Sequence, residues 1–140
     1  MAEWSCKVAR ESSEPLPRDD QLAATVVDAA IEVHRHLGPG FAESVYENAL
    51  VCELTGREVP HVRQVAICVE YKSHRVGEGR MDLLVDGRLV VEIKALPSLL
   101  PIHASQIISY LKATNLSLGL LLNFGGRRMK EGVRRVVFSR

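Results

Sequence analysis

The chain has 140 residues, 46% of them hydrophobic and 25% charged, with a formal net charge of +1. That composition suits one ordinary globular domain, large enough to bury roughly 68% of its unfolded surface in a single core. Such a balance exerts no global pull on nucleic acid, although charge can still be concentrated on one face; no apolar run approaches the roughly 18 residues of a membrane helix, and MAEWSCKVARESSEPLPRDD at the start lacks the apolar centre of a secretory signal. A cytoplasmic protein with no membrane partner is therefore expected.

Cys6, Cys52 and Cys68 show no CxxC or Cys/His spacing, which argues against a disulfide framework and against a zinc or iron–sulfur centre. They read as free thiols, two of them buried. Residues 1 to 18, with Pro15 and Pro17, read as a flexible arm in which Trp4 is an anchor without an evident partner, and residues 19 to 140 as a single domain.

From the caps Asp19 and Asp20, the positions Leu22, Val26, Ala29, Ala30, Val33 and Leu37 follow helical spacing. Pro39 within GPG ends that helix. A second helix is predicted over about Phe41 to Leu54, with Val45, Ala49 and Cys52 on one face and Gly56 as its stop. On its surface Glu43, Tyr46 and Glu47 are neighbours at i, i+3 and i+4.

Val65, Ile67, Val69 and Tyr71 alternate with Ala66, Cys68 and Glu70, the period of a strand. Arms of about Arg75 to Val85 and Arg88 to Ala95 then form a hairpin, so three sequential antiparallel strands are expected. Pro97 and Pro101 close the last arm, a helix follows over about Ile102 to Thr114, Leu118 to Asn123 is a buried strand, and Val133 to Phe138 is a further strand. The order ααβββαββ implies an α/β sandwich with helices packed on a mixed sheet.

The hairpin GRMDLLVDGRLVVEIKA, residues 79 to 95, places Asp82, Glu92 and Lys94 in apolar arms, where an unpaired buried charge is costly. Glu92 and Lys94, two apart on a strand, share a face. A two-residue Asp86-Gly87 turn pairs Val85 with Arg88 and sends Asp82 away from them, because one step of register reverses every side chain. A three-residue loop, Asp86 to Arg88, or a bulge at Gly87 pairs Val85 with Leu89 and sets Asp82 opposite Glu92. The odd loop is predicted on chemical grounds: two carboxylates on one face make a hard-oxygen site suited to Mg²⁺ or Mn²⁺. Beside them Lys94 would position a metal-bound water and offset transition-state charge. Spacing alone equally allows solvated pairs, Asp82 with Arg80 and Glu92 with Lys94 or Arg88, worth only ~0.2–1 kcal/mol each.

Asp82, Glu92 and Lys94, in the pattern D-x9-E-x-K, resemble the signature of the PD-(D/E)XK nuclease superfamily. QIISY, Gln106 to Tyr110, is similar to the QxxxY motif of its RecB-like branch, and GFAESVY, Gly40 to Tyr46, to the motif that names the GxxExxY proteins. With GEGRMDLLV, VVEIKA and LLNFG, the likeness runs from about residue 20 to 138. One departure is Met81, where the superfamily's name has proline. The resemblance implies a restriction-endonuclease-like sandwich and a Mg²⁺- or Mn²⁺-dependent phosphodiesterase acting on nucleic acid, DNA before RNA. It implies Asp82 and Glu92 as central metal ligands, the carbonyl of Ile93 as a backbone ligand, Glu43 as an additional carboxylate and Lys94 as the catalytic lysine. Gln106 and Tyr110 would orient the site or touch the nucleic-acid backbone.

Other residues carry two readings each. Tyr46 is a core residue with a satisfied hydroxyl or a functional one. His34 and His36, on different helix faces, read as surface residues, and His103, one turn before Gln106, is the better candidate at the site. Glu47 reads as a solvated helix charge or a support for Glu43. Arg127, Arg128, Lys130, Arg134 and Arg135 form a basic cluster that grips phosphates or guards an edge strand. The alternative to an enzyme is a catalytically silent nucleic-acid-binding or regulatory module on the same fold. A third class is an assembly protein whose C-terminal strand or Trp4 arm joins subunits in a homo-oligomer.

Overall fold

A computed structural model describes residues 14–139. The elements are α1 (Pro17–Leu37), α2 (Glu43–Gly56), β1 (His61–Tyr71), β2 (His74–Val85), β3 (Leu89–Lys94), α3 (Pro101–Thr114), β4 (Leu118–Asn123), a 3₁₀ turn (Met129–Gly132) and β5 (Val133–Val137). Among the described residues they form one five-stranded sheet in the order β1-β2-β3-β4-β5. Every neighbouring pair is antiparallel except β3 and β4, which are parallel and joined through α3. This is the expected mixed α/β sandwich.

Apolar side chains alternate along the central strands, so each face of the sheet acquires its own core. Leu89, Val91 and Ile93 of β3 face α1 and α2, where Val26, Ala29, Ala30, Leu50 and Leu54 cover them. Val90 faces the other way, towards Ile107 and Leu111 of α3. That helix sits so close that a Cβ on Gly119 of β4 would lie 2.5 Å from Ile107 Cγ2. Burying both faces explains why Leu118–Asn123 reads as a continuous run with every residue inaccessible.

The chain enters α1 earlier than expected. Pro17 is its first residue, with φ preset for a helix, and the Asp19 carboxylate reaches back to the Leu16 N–H at 2.9 Å. Its other oxygen lies 3.1 Å from Arg88 Nε, tying the helix start to the hairpin loop. Of the arm expected over residues 1 to 18, Pro17 and Arg18 are helical; residues 1 to 13, Trp4 included, lie outside the described residues.

The inward face of α2 also differs from expectation. Tyr46, Leu50 and Leu54 are fully buried, whereas Val45 and Cys52 are exposed. Cys52 is a free thiol, but Cys68 is disulfide-bonded, so three unpaired cysteines were the wrong expectation. His34 is buried as well, its Nε2 2.9 Å from the Gly126 carbonyl, so the surface reading fails for it and holds for His36, which pairs with Glu32.

Candidate active site

The hairpin resolves in favour of the odd loop. Val85 pairs with Leu89 and Leu83 with Val91, leaving Asp86, Gly87 and Arg88 as the connection. Asp86 and Gly87 both take positive φ, 51° and 66°, in keeping with Asp and Gly being the residues that tolerate it. Asp82 and Glu92 are therefore opposite, one step beyond the last regular pair.

At that step the ladder stops. The Asp82 N–H donates to Glu92 Oε1 at 3.0 Å and the Ile93 N–H donates to Asp82 Oδ2 at 2.8 Å, so each carboxylate occupies a donor that sheet pairing would otherwise use. Glu92 is 3% exposed, and its carboxyl is pushed up to about 8, by burial first and by the charge of Asp82 second. Burial is also the main cause that raises Asp82, against the lowering effect of the Ile93 N–H. A buried acid and a half-buried one held this close each raise the other's affinity for a proton. Lys94, one position beyond Ile93, is close enough for its charge to favour the ionised form of both.

Across β2 the backbone is unusual. Gln64 of β1 lies between the pairs Arg63–Leu83 and Val65–Met81, opposite Asp82, and has φ 51°. A non-glycine residue in the left-handed region inside a strand costs on the order of 1–3 kcal/mol. Its Nε2 donates to Glu47 Oε1 at 2.9 Å, while Arg63 Nη2 donates to Glu47 Oε2 at 2.8 Å. Glu47 is thus a buried anchor from α2 to β1, and the solvated reading is corrected.

Glu43 stands at the first residue of α2. The turn before it is fastened by Tyr46, whose hydroxyl donates to the Gly38 carbonyl at 2.5 Å and accepts from the Phe41 N–H at 3.1 Å. The Tyr46 ring stacks on Phe124 at 4.7 Å, so this tyrosine serves the core and the approach to the site together. Glu43 is exposed, yet its carboxyl is raised by partial burial first, with Lys94 opposing and Asp82 adding to the shift. It lies in the field of the pair without joining it: among the described residues, no three His, Cys, Asp or Glu side chains are gathered closely enough to enclose a metal ion.

From the other face, α3 brings Tyr110 and Gln106. Gln106 Nε2 donates to the Tyr110 hydroxyl at 3.1 Å, the i, i+4 contact its spacing predicts. The hydroxyl is raised by burial first and then by the charge of Glu92. The ring crosses Gly79 so closely that a Cβ there would lie 3.0 Å from Tyr110 Cε1. His103 does not join them; its Nδ1 accepts the Leu100 N–H at 2.9 Å and caps α3.

A contributor that the sequence did not announce is Asn123. Its Oδ1 accepts the Leu96 and Gly125 N–H groups at 2.9 and 3.1 Å, and its Nδ2 donates to the Leu96 carbonyl at 3.0 Å. These bonds lock the chain just after Lys94 to the end of β4.

A mixed five-stranded sheet between helices, with an acidic pair seated where two of its strands part, is the restriction-endonuclease-like kind of α/β fold. The sequence profile of the PD-(D/E)XK nuclease superfamily matches residues 20–136, and the chain belongs to that superfamily. No curated protein matches it. The crystal structure of SSO0001 is similar in fold, with a TM-score of 0.53 at 18% identity over 96% of this chain and 71% of that one. Among the described residues, no helix is long and apolar enough to cross a membrane.

Proposed function

We propose that the protein is a metal-dependent nuclease that hydrolyses phosphodiester bonds, in DNA rather than RNA, at the Asp82–Glu92 pair. The observation that carries this reading is the pair itself. A buried carboxylate, Glu92, and a half-buried one, Asp82, are held together at an energetic cost, each accepting a backbone N–H of the opposing strand. Superfamily members generally use divalent metals, and the donors suit Mg²⁺ or Mn²⁺. Asp82 and Glu92 offer hard oxygens, the Ile93 carbonyl is on the same strand, and Mg²⁺ characteristically binds one or two carboxylates while keeping several waters.

A bound ion would supply Lewis-acid charge neutralisation and a more acidic water. The chain's own groups divide the remaining work. Asp82 and Glu92 hold the ion, Glu43 adds negative charge from α2, and Lys94 orients the attacking water and offsets charge as the bond breaks. Gln106 and Tyr110 position the backbone phosphate. On GFAESVY and QIISY we place the chain with the GxxExxY proteins, in the RecB-like branch.

The test is calorimetric titration with Mg²⁺ and Mn²⁺ of wild type and of Asp82→Asn/Glu92→Gln, alongside cleavage of labelled DNA and RNA. Binding and cleavage are expected in wild type and lost in the variant; metal binding that survives the double substitution refutes the assignment. The lack of a third gathered carboxylate among the described residues favours a second reading, a catalytically silent nucleic-acid-binding or regulatory module. Metal-independent binding with no products after long incubation would support it.

A further inference from the structure

The loop between β4 and β5 leaves the sheet beside the candidate active site and is held there at both ends. Lys94 and Asn123 are register partners on parallel strands, and the Phe124 N–H donates to the Lys94 carbonyl at 2.8 Å. A Cβ on Gly125 would lie 2.1 Å from the Leu96 carbonyl oxygen, and one on Gly132 2.1 Å from that of Asn123. Between these two close approaches, His34 of α1 binds the Gly126 carbonyl. The backbone that carries Arg127, Arg128 and Lys130 is therefore anchored to the strand of Lys94.

Like Arg18 and Arg134, but unlike many arginines elsewhere, the cations on this loop have no carboxylate partner among the described residues. Arg35, Arg57, Arg63, Arg75, Arg88 and Arg135 each face a carboxylate. Among the described residues Arg127, Arg128 and Lys130 are exposed and form no ion pair, and Glu131 is the single acid in the segment 124–132. Arg127 follows Phe124 by three residues, so its Cα is at most about 11 Å from that of Phe124. A cavity of about 210 Å³ between this loop and Pro97–Leu99 is lined by Glu131 and Arg134 and not by these three cations. The one aromatic ring in the segment, Phe124, is fully buried, so no base can stack on it.

We propose that loop 124–132 is a phosphate-binding ledge: Arg127, Arg128 and Lys130 grip the backbone of the nucleic-acid strand on the β4 side of the acidic pair. The inference rests on the nuclease reading and adds where the strand runs and how it is held. Cations without an exposed aromatic read phosphates and not bases, so binding there is independent of sequence and strongly dependent on salt.

The experiment measures binding of fluorescein-labelled single-stranded DNA 12-mers of two unrelated sequences by anisotropy, in EDTA, from 25 to 200 mM salt. Compared are the full-length wild type, Arg127→Gln/Arg128→Gln/Lys130→Gln, and a control of equal charge change, Arg35→Gln/Arg57→Gln/Arg75→Gln. With ~0.7 counterion released per phosphate on a single strand, the slope of log K against log salt should fall by about 2 in the loop variant, for both sequences. The control should keep its slope. Arg127→Lys/Arg128→Lys, which retains the charges, should also keep it and so separates lost charge from a disturbed loop. An unchanged slope in the loop variant, or an equal drop in the control, overturns the ledge and leaves the nuclease reading standing. No binding by wild type at 25 mM salt, together with no cleavage in Mg²⁺ or Mn²⁺, overturns both.

Discussion

Glu92 offers a measurement that needs no substrate. Its carboxyl is pushed up to about 8 in the fold, against an ordinary value of 4.5. Below 4.5 both folded and unfolded chains hold the proton and nothing is lost. Between 4.5 and 8 the folded protein keeps a proton that the unfolded chain releases, so stability falls as pH rises; above 8 the loss is constant. At about 1.4 kcal/mol for each pH unit between 4.5 and 7, the penalty at pH 7 is about 3 kcal/mol. Glu92→Gln removes the charge but keeps an oxygen for the Asp82 N–H. The variant should therefore be more stable than wild type by up to about 3 kcal/mol at pH 7 and by almost nothing at pH 4. Urea unfolding followed by circular dichroism in EDTA, at steps from pH 4 to pH 8, measures the difference. Added Mg²⁺ or Mn²⁺ should narrow it at pH 7, because the ion stabilises only the chain that retains both acids. Equal stabilities at pH 7 would refute the reasoning, and a gain that is the same at pH 4 would assign the effect to packing instead of charge.

Three further outcomes follow from the geometry. Lys94→Gln should lower cleavage on the order of 10²–10³-fold with an unchanged circular dichroism spectrum; cleavage at the wild-type rate would remove Lys94 from the chemistry. Tyr46→Phe leaves the Gly38 carbonyl and the Phe41 N–H without their partner, and thermal unfolding should show a loss of about 1–3 kcal/mol, with the stacking on Phe124 retained. Gly125→Ala drives a methyl group into the Leu96 carbonyl and should cost at least about 1–3 kcal/mol; a melting temperature equal to wild type would show that the close approach yields easily.

What the sequence disclosed was mostly what depends on near neighbours. β4 was readable to the residue, because a fully buried strand is one unbroken apolar run. The parity of the 86–88 loop followed from requiring Asp82 to face Glu92, a chemical premise imposed on a pattern that was otherwise ambiguous. The inward face of α2 was misread because Val45, Ala49 and Cys52 compete with Tyr46, Leu50 and Leu54, both sets at helical spacings of three or four, so periodicity alone cannot choose between them. His34 and Glu47 looked like surface residues because their partners are remote in the chain. Gly126 is 92 positions from His34, and Arg63 is 16 from Glu47. Asn123 and Gly125 fall within LLNFG, but their roles were illegible for the same reason: what they contact is the backbone of Leu96, outside β4.

The exchange of bonds between Asp82 and Glu92 has a mechanical side. Each carboxylate accepts an N–H on the opposing strand, so the two acids act as a wedge that stops β2 and β3 from zipping past Leu83 and Val91. The opening in the sheet and the residues that line it are thus a single device: the side chains that would do the chemistry also hold the gap apart. Replacing both with valine would not merely empty the site. It would leave the backbone N–H groups at positions 82 and 93 without the side-chain acceptors they now have.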